Sequence, residues 1–151
     1  MEITYNTYKF PGKFAKFVTV FTNIPGKEQY RIDINGFVKA IPMGVLEVEP
    51  RKITLAGNLK TNVAVPFTIT MTNSGDADME ITRIVSIKRK TVFFDSAQEG
   101  KLIIKPGKTA ELNTSVVSDK KGQLLDYIMI HSNARNDTPQ GYKVILIGTF
   151  E

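Results

Sequence analysis

Between Asn62 and Asn73 apolar and polar residues alternate with a period of two. Val63, Val65, Phe67, Ile69 and Met71 fall on one side of the pattern, and Thr68, Thr70 and Thr72 on the other. Successive side chains of an extended strand project to opposite faces, so the pattern predicts a half-buried strand over 62–73. Asn73-Ser74-Gly75-Asp76 breaks it with turn-forming residues, and a second strand is predicted from Met79 to Lys88. Shorter apolar runs predict strands at 44–49, 51–56, 91–95, 101–105, 109–117, 123–132 and 141–150. Turn residues separate them at Glu49-Pro50, Ala56-Gly57-Asn58, Glu99-Gly100, Pro106-Gly107-Lys108 and Lys120-Lys121-Gly122. No stretch carries the 3.6-residue period of an amphipathic helix.

Short strands at this spacing predict an all-β chain whose residues 43–151 form an immunoglobulin-like β-sandwich of about seven to eight strands. A second pattern lies over the first. Gly12 precedes Asn23 by eleven residues, as Gly122 precedes Asn133; Tyr30 precedes Gly36 by six, as Tyr142 precedes Gly148. The segments between these landmarks differ in length by two residues. A repeat of roughly 110 residues implies two copies of one module. Residues 1–38, with strands expected near 2–6, 14–23 and 29–38, read as the last three strands of an upstream repeat. Residues 39–42 read as a short, Pro-containing linker and 43–151 as the complete module. Three strands cannot close a sandwich, so their edges are expected to pair with a neighbour.

The first copy serves as an internal control for the second. On the last two strands the inward set is preserved in kind: Val18, Val20, Ile32 and Ile34 correspond to Ile128, Ile130, Val144 and Leu146. The opposite face is not. Ala15, Thr19, Asp33 and Asn35 correspond to Leu125, Met129, Ile145 and Ile147. The solvent face of a sandwich is ordinarily polar, so this exchange predicts an interface made of Leu125, Tyr127, Met129, Ile145 and Ile147, the alternative being that the linker or the three orphan strands cover the face within one chain.

Composition narrows the chemistry. The 151 residues include no Cys, no Trp and one His, which removes disulfides, thiolate nucleophiles and multi-histidine metal sites. His131 aligns with Phe21 of the first copy, and a position that accepts Phe is one of packing or surface rather than catalysis. The net charge of +5 is spread thinly. Residues 1–42 hold six Lys/Arg against three acids and 43–151 hold fourteen against twelve, which is not a nucleic-acid footprint. Arg83, Lys88, Arg89 and Lys90 form the one local basic cluster and read as a charged strand edge. Asn73, Asp76, Asp78 and Glu80 could offer oxygens to calcium, yet their place on a hairpin turn favours capping of backbone groups. Asn113-Thr114-Ser115 and Asn136-Asp137-Thr138 match glycosylation sequons. No apolar run approaches the roughly 20 residues of a membrane span, and no leader precedes the first strand pattern. No nucleophile–base pair or phosphate loop can be assembled.

The run Ile3 to Asn23, ITYNTYKFPGKFAKFVTVFTN, resembles the hallmark of a bacterial Ig-like family catalogued only as a domain of unknown function. Tyr5, Asn6, Thr7, Gly12, Lys13, Phe14, Lys16, Thr22, Asn23, Gly36 and Val38 match its closing motif. In the second copy Asn73-Ser74-Gly75, Met79 to Ile84, Pro106-Gly107, Gly122, Ser132-Asn133 and Gly148 follow the weaker half of the pattern. The wider group includes the Ig-like domains of abnormal-spindle and Hydin proteins and is similar to major sperm protein. Many members carry Cys-Gly-Cys where this chain reads Ile87-Lys88-Arg89-Lys90, so the resemblance transfers no thiol or metal role. It implies an exported bacterial protein of the envelope or periplasm in which Ig modules make contacts.

The sequence therefore points to a non-enzymatic scaffold module without cofactor or metal, whose partner is protein, either a second copy or a larger assembly. The alternative is a carbohydrate- or peptide-binding module using the end loops, for which Phe93, Phe94 and Tyr142 are the aromatic candidates.

Overall fold

The computed structural model describes residues 2–151 and divides into two compact units, one ending at Ile41 and one running Pro42–Glu151. The first is built on a hairpin of β1 (Gly12–Phe21) and β2 (Gln29–Val38), paired antiparallel from Gly12 opposite Val38 to Phe21 opposite Gln29. Gly26, at a positive φ of 76°, lets the connection turn, and Lys27 N–H donates to the Ile24 carbonyl at 3.0 Å. The strand expected at 2–6 does not form. Local turn chemistry takes the segment instead. Asn6 Oδ1 accepts from the Tyr8 amide at 2.9 Å, and Phe10 N–H donates to the Thr7 carbonyl at 3.0 Å. The Tyr5 ring meanwhile rests on Phe14, with centroids 4.9 Å apart. Among its described residues this unit thus holds two strands rather than three.

The second unit is a sandwich of two sheets. Its strands are β3 (Leu46–Glu49), β4 (Lys52–Thr54), β5 (Val65–Asn73), β6 (Met79–Ser86), β7 (Val92–Asp95), β8 (Leu102–Ile104), β9 (Thr109–Val116), β10 (Gly122–Ser132) and β11 (Tyr142–Phe150). One sheet runs β4-β11-β10-β6-β7, with β8 also pairing to β6; the other runs β3-β5-β9. The chain changes sheets at Pro50-Arg51, after which β4 joins β11 in parallel.

Between the sheets lies one apolar layer. Ile69 and Met71 on β5, Met79, Ile81 and Ile84 on β6, Ile128 and Ile130 on β10, and Val144 and Leu146 on β11 are all essentially inaccessible to solvent. Burying each of these side chains contributes about 1.5–3 kcal/mol. The alternation read over 62–73 holds for Phe67, Ile69 and Met71, while Val63 precedes the strand and is exposed.

Strand β6 departs from a simple alternation. Its pairing with β10 slips between His131, opposite Arg83, and Ser132, opposite Ile81. Thr82 is the extra residue of this bulge, and the buried set becomes Met79, Ile81, Ile84 and Ser86. A second slip against β7 leaves Phe93 as the extra residue between Val92 and Phe94. Beyond β7 one helical turn, α1 (Ser96–Glu99), forms where the sequence signals no helix. Asp95 caps it by accepting from the Ala97 amide at 3.0 Å, and Glu99 reaches back to the Asp95 amide at 3.2 Å.

The turn after β5 is organised by a buried amide. Asn73 is fully enclosed, and its side chain fills all four of its hydrogen-bonding positions. Oδ1 accepts from the amides of Val45 (3.1 Å) and Gly75 (3.0 Å); Nδ2 donates to the carbonyls of Ala77 and Ile104, each at 2.8 Å. Asp76 in turn accepts from the Met43 amide at 2.8 Å. The side-chain oxygens of Asn73 and Asp76 therefore serve backbone amides.

Candidate interaction surface

The hairpin β10–β11 and the hairpin β1–β2 share one register. Gly122 faces Phe150 as Gly12 faces Val38, Leu125 faces Ile147 as Ala15 faces Asn35, and Ile128 faces Val144 as Val18 faces Ile32. Both opening glycines sit at a φ of 107°. The correspondence extends to a side-chain pair. The Arg31 guanidinium lies 4.2 Å from the Phe17 ring centroid, and Lys143 Nζ lies 5.5 Å from that of Tyr127, at the equivalent positions. The exposed face of the first hairpin is thus not wholly polar, because it carries Phe17.

Five residues expected at an interface, Leu125, Tyr127, Met129, Ile145 and Ile147, alternate with the buried Ile128, Ile130, Val144 and Leu146. They occupy the opposite face of the sheet. Leu125 is 41% exposed, Tyr127, Ile145 and Ile147 are half-buried, and Met129 is down to 8%. Met129 lies between Val85 of β6 and Lys143 of β11 in the ladder, so its neighbours already cover most of it. Leu125 and Ile147 border a shallow hollow of about 410 Å³ whose other wall includes Thr54 and Leu55. Lys88 and Lys143 approach the Tyr127 ring at 5.6 and 5.5 Å. The result is an apolar strip with cations about its aromatic residue.

The three candidate ligand aromatics do not come together. Tyr142, Ile130, Ile84 and Phe94 form one row across the sheet, with two fully buried isoleucines between the aromatic ends. Tyr142 and Phe94 are half-buried and pack on the core from opposite sides of it. Phe93 meets Phe67 edge-on at 5.9 Å and borders a different cleft.

Sequence reasoning overlooked Asp126. It lies on the inward register with Ile128 and Ile130 and has no exposure. Its Oδ2 accepts from Ser86 Oγ at 2.6 Å; its Oδ1 accepts from the amides of Tyr127 (2.7 Å) and Lys88 (3.1 Å). Arg89 Nε lies 3.7 Å from Oδ2, while another guanidinium nitrogen donates to the Val117 carbonyl. The carboxylate therefore pins the β6–β7 turn to β10. The signal was a carboxylate at a core-facing parity, where the first copy has the exposed Lys16.

The remaining basic and acidic candidates are engaged locally. Arg83 faces Asp95 at 3.7 Å, and Lys101 faces Glu80 at 3.6 Å, both at partly exposed positions. His131 pairs with Arg83 in the ladder. Asn136 receives the Leu46 amide on Oδ1 (2.9 Å) and donates to the Leu46 carbonyl from Nδ2 (2.8 Å), and Asn113 accepts from Thr68 Oγ1 at 2.7 Å. Among the described residues no three His, Asp or Glu side chains converge as metal ligands, and no helix is long and apolar enough to cross a membrane.

No family model and no curated protein sequence matches the chain. Solved structures do. An ASH/PapD-like domain of human CEP192 aligns with a TM-score of 0.52 at 10% identity, over 76% of this chain and 90% of that one. A protein of unknown function from Porphyromonas gingivalis W83 aligns with a TM-score of 0.50 at 12% identity, over 92% of this chain and 66% of that one. WR4, a C. elegans MSP family member, gives 0.39 at 8% identity over 71% of this chain and 98% of that one. At these identities the likeness is one of fold: the chain is similar to ASH/PapD-like β-sandwiches.

Proposed function

We propose that the chain is a non-enzymatic scaffold module that assembles with a second copy of itself through the outer face of β10–β11. The reading rests on one observation. Two hairpins of identical register differ on this face, where Ala15, Asp33 and Asn35 of one stand as Leu125, Ile145 and Ile147 of the other. Apolar side chains on the solvent side of a sheet contribute nothing while wet, and about 1.5–3 kcal/mol each when a partner covers them. Residues 2–41 carry a second apolar face that lacks cover. Their hairpin repeats the inward set Val18, Val20, Ile32 and Ile34, yet Ile32 is exposed and the others are only half-buried, whereas the matching residues of the sandwich are closed off. We read residues 1–38 as the tail of an upstream repeat of the same module, and the setting as the bacterial envelope or periplasm, which the resemblance in the closing motif supports.

Leu125→Lys with Ile147→Lys tests the proposal, because both residues are accessible enough to accept charge without unfolding the sandwich. The expected result is a fall in mass by light scattering with an unchanged circular dichroism spectrum. An unchanged mass at every concentration would refute the proposal.

A further inference from the structure

A second surface, adjoining the outer face of β10–β11 at Leu125 and Lys88, lies on the open side of the sandwich. The sheets end there in β7 and β9, each hydrogen-bonded on one side only, so both present an unpaired backbone edge. The cleft between them, about 940 Å³, is bordered by Thr91 and Phe93 from one edge and by Ser115 and Val117 from the other. Its cations come from two loops. Lys88 and Arg89 belong to the β6–β7 turn, and Lys120 and Lys121 to the segment after β9. The two acids present are Asp119 and the buried Asp126, and Asp126 is already matched by Arg89 at 3.7 Å. Three lysines then stand against one free carboxylate.

The turn that presents Lys88 is also fixed in place. Its amide donates to Asp126 Oδ1 at 3.1 Å, the Arg89 amide donates to Ser86 Oγ at 3.2 Å, and Arg89 reaches the Val117 carbonyl across the cleft. A rigid, positively charged cleft flanked by free strand edges offers two things at once. An extended peptide uses both: its backbone completes the ladder along an edge, and its carboxylates meet the lysines. Val117, 45% exposed and one residue past β9, supplies an apolar contact for a peptide side chain. A sulfated glycan or nucleic acid would use only the charge.

We propose that this cleft binds an extended acidic peptide segment that adds as a strand along the free edge of β9, with its carboxylates facing Lys88, Lys120 and Lys121. The probe is a fluorescein-labelled synthetic peptide of alternating Glu and Val, measured by anisotropy against the whole chain at low salt, with amide shifts followed by NMR. Saturable binding is expected, with shifts concentrated at 88–93 and 113–121. Exchanging Lys88, Lys120 and Lys121 together for Glu is expected to weaken binding by about tenfold or more. A matched Glu/Val peptide methylated at every backbone nitrogen, which has no N–H to donate to a ladder, is expected to bind at least about tenfold more weakly. Equal affinity for the N-methylated peptide or for a sulfated oligosaccharide would reduce the cleft to a generic anion surface and overturn the proposal. So would shifts confined to other strands, or no saturation up to about 1 mM.

Discussion

Lys143 stands over the ring of Tyr127, its Nζ 5.5 Å from the centroid, on the face of β10–β11 turned away from the core. Arg31 holds Phe17 in the same way at the equivalent positions of β1–β2. A cation above an exposed ring contributes about 0.5–1 kcal/mol. Lys143→Ala should therefore cost about that amount in urea unfolding and move the Tyr127 ring protons in NMR. Unmoved ring resonances would show that the pair does not persist in solution.

The buried carboxylate of Asp126 carries a larger share of the stability. Replacing it with Ala leaves Ser86 Oγ and two backbone amides without their acceptor and the Arg89 guanidinium without its counter-charge. Removing one partner of a buried charged network costs about 3–5 kcal/mol. Asp126→Ala should lower the urea midpoint accordingly and loosen the β6–β7 turn, read as faster amide exchange at 87–90. A loss below about 1 kcal/mol would mean the carboxylate is not the anchor described.

Much of this was legible in the sequence and some of it was not, for physical reasons. The strands of the sandwich follow from period-two alternation, and the shared register of the two hairpins from the spacing of Gly12, Asn23, Tyr30 and Gly36 against their counterparts. Strand β6 resists such a reading because the bulge at Thr82 changes the parity, so that Ile84 rather than Arg83 turns inward. The same device at Phe93 carries that residue to the core beside Phe94, which is why the aromatic candidates do not line one site. Residues 2–6 carry apolar residues at a strand-like spacing, but Asn6 closes a local turn that no pattern of hydrophobicity records. The outer face was visible as apolar substitutions between the copies. Its cover over Met129 was not, since that depends on cross-strand neighbours.

Asn73 should tolerate no substitution. Leu in its place removes four hydrogen bonds at a site with no access to water, leaving the amides of Val45 and Gly75 and the carbonyls of Ala77 and Ile104 to find other partners. At about 1–3 kcal/mol for each buried group left unsatisfied, Asn73→Leu is expected to lose at least about 3 kcal/mol. Gly75→Ala should also destabilise, because a Cβ there would lie 2.3 Å from the Met43 carbonyl oxygen. Wild-type melting temperatures in both variants would contradict this account of the turn.

The hairpin turn of the first unit has its own pH dependence. Glu28 accepts from the Gly26 amide at 2.9 Å, and this bond, with one from its own amide, holds the carboxyl below the ordinary glutamate value of 4.5. A lowered folded-state value means the contribution is present above the unfolded value and is lost as pH falls through the folded one. The Gly26 amide shift should titrate with a midpoint under 4.5, and Glu28→Gln should abolish the titration. A midpoint at or above 4.5 would exclude the bond.

The most direct test of the assembly is the mass of the whole chain in solution, measured by light scattering from dilute conditions to tens of micromolar. The predicted result is a concentration-dependent rise to a dimer or larger species, abolished by charge at Leu125 and Ile147. A constant monomer mass across the range would contradict the claim that the apolar outer face of β10–β11 exists to be covered by a second copy.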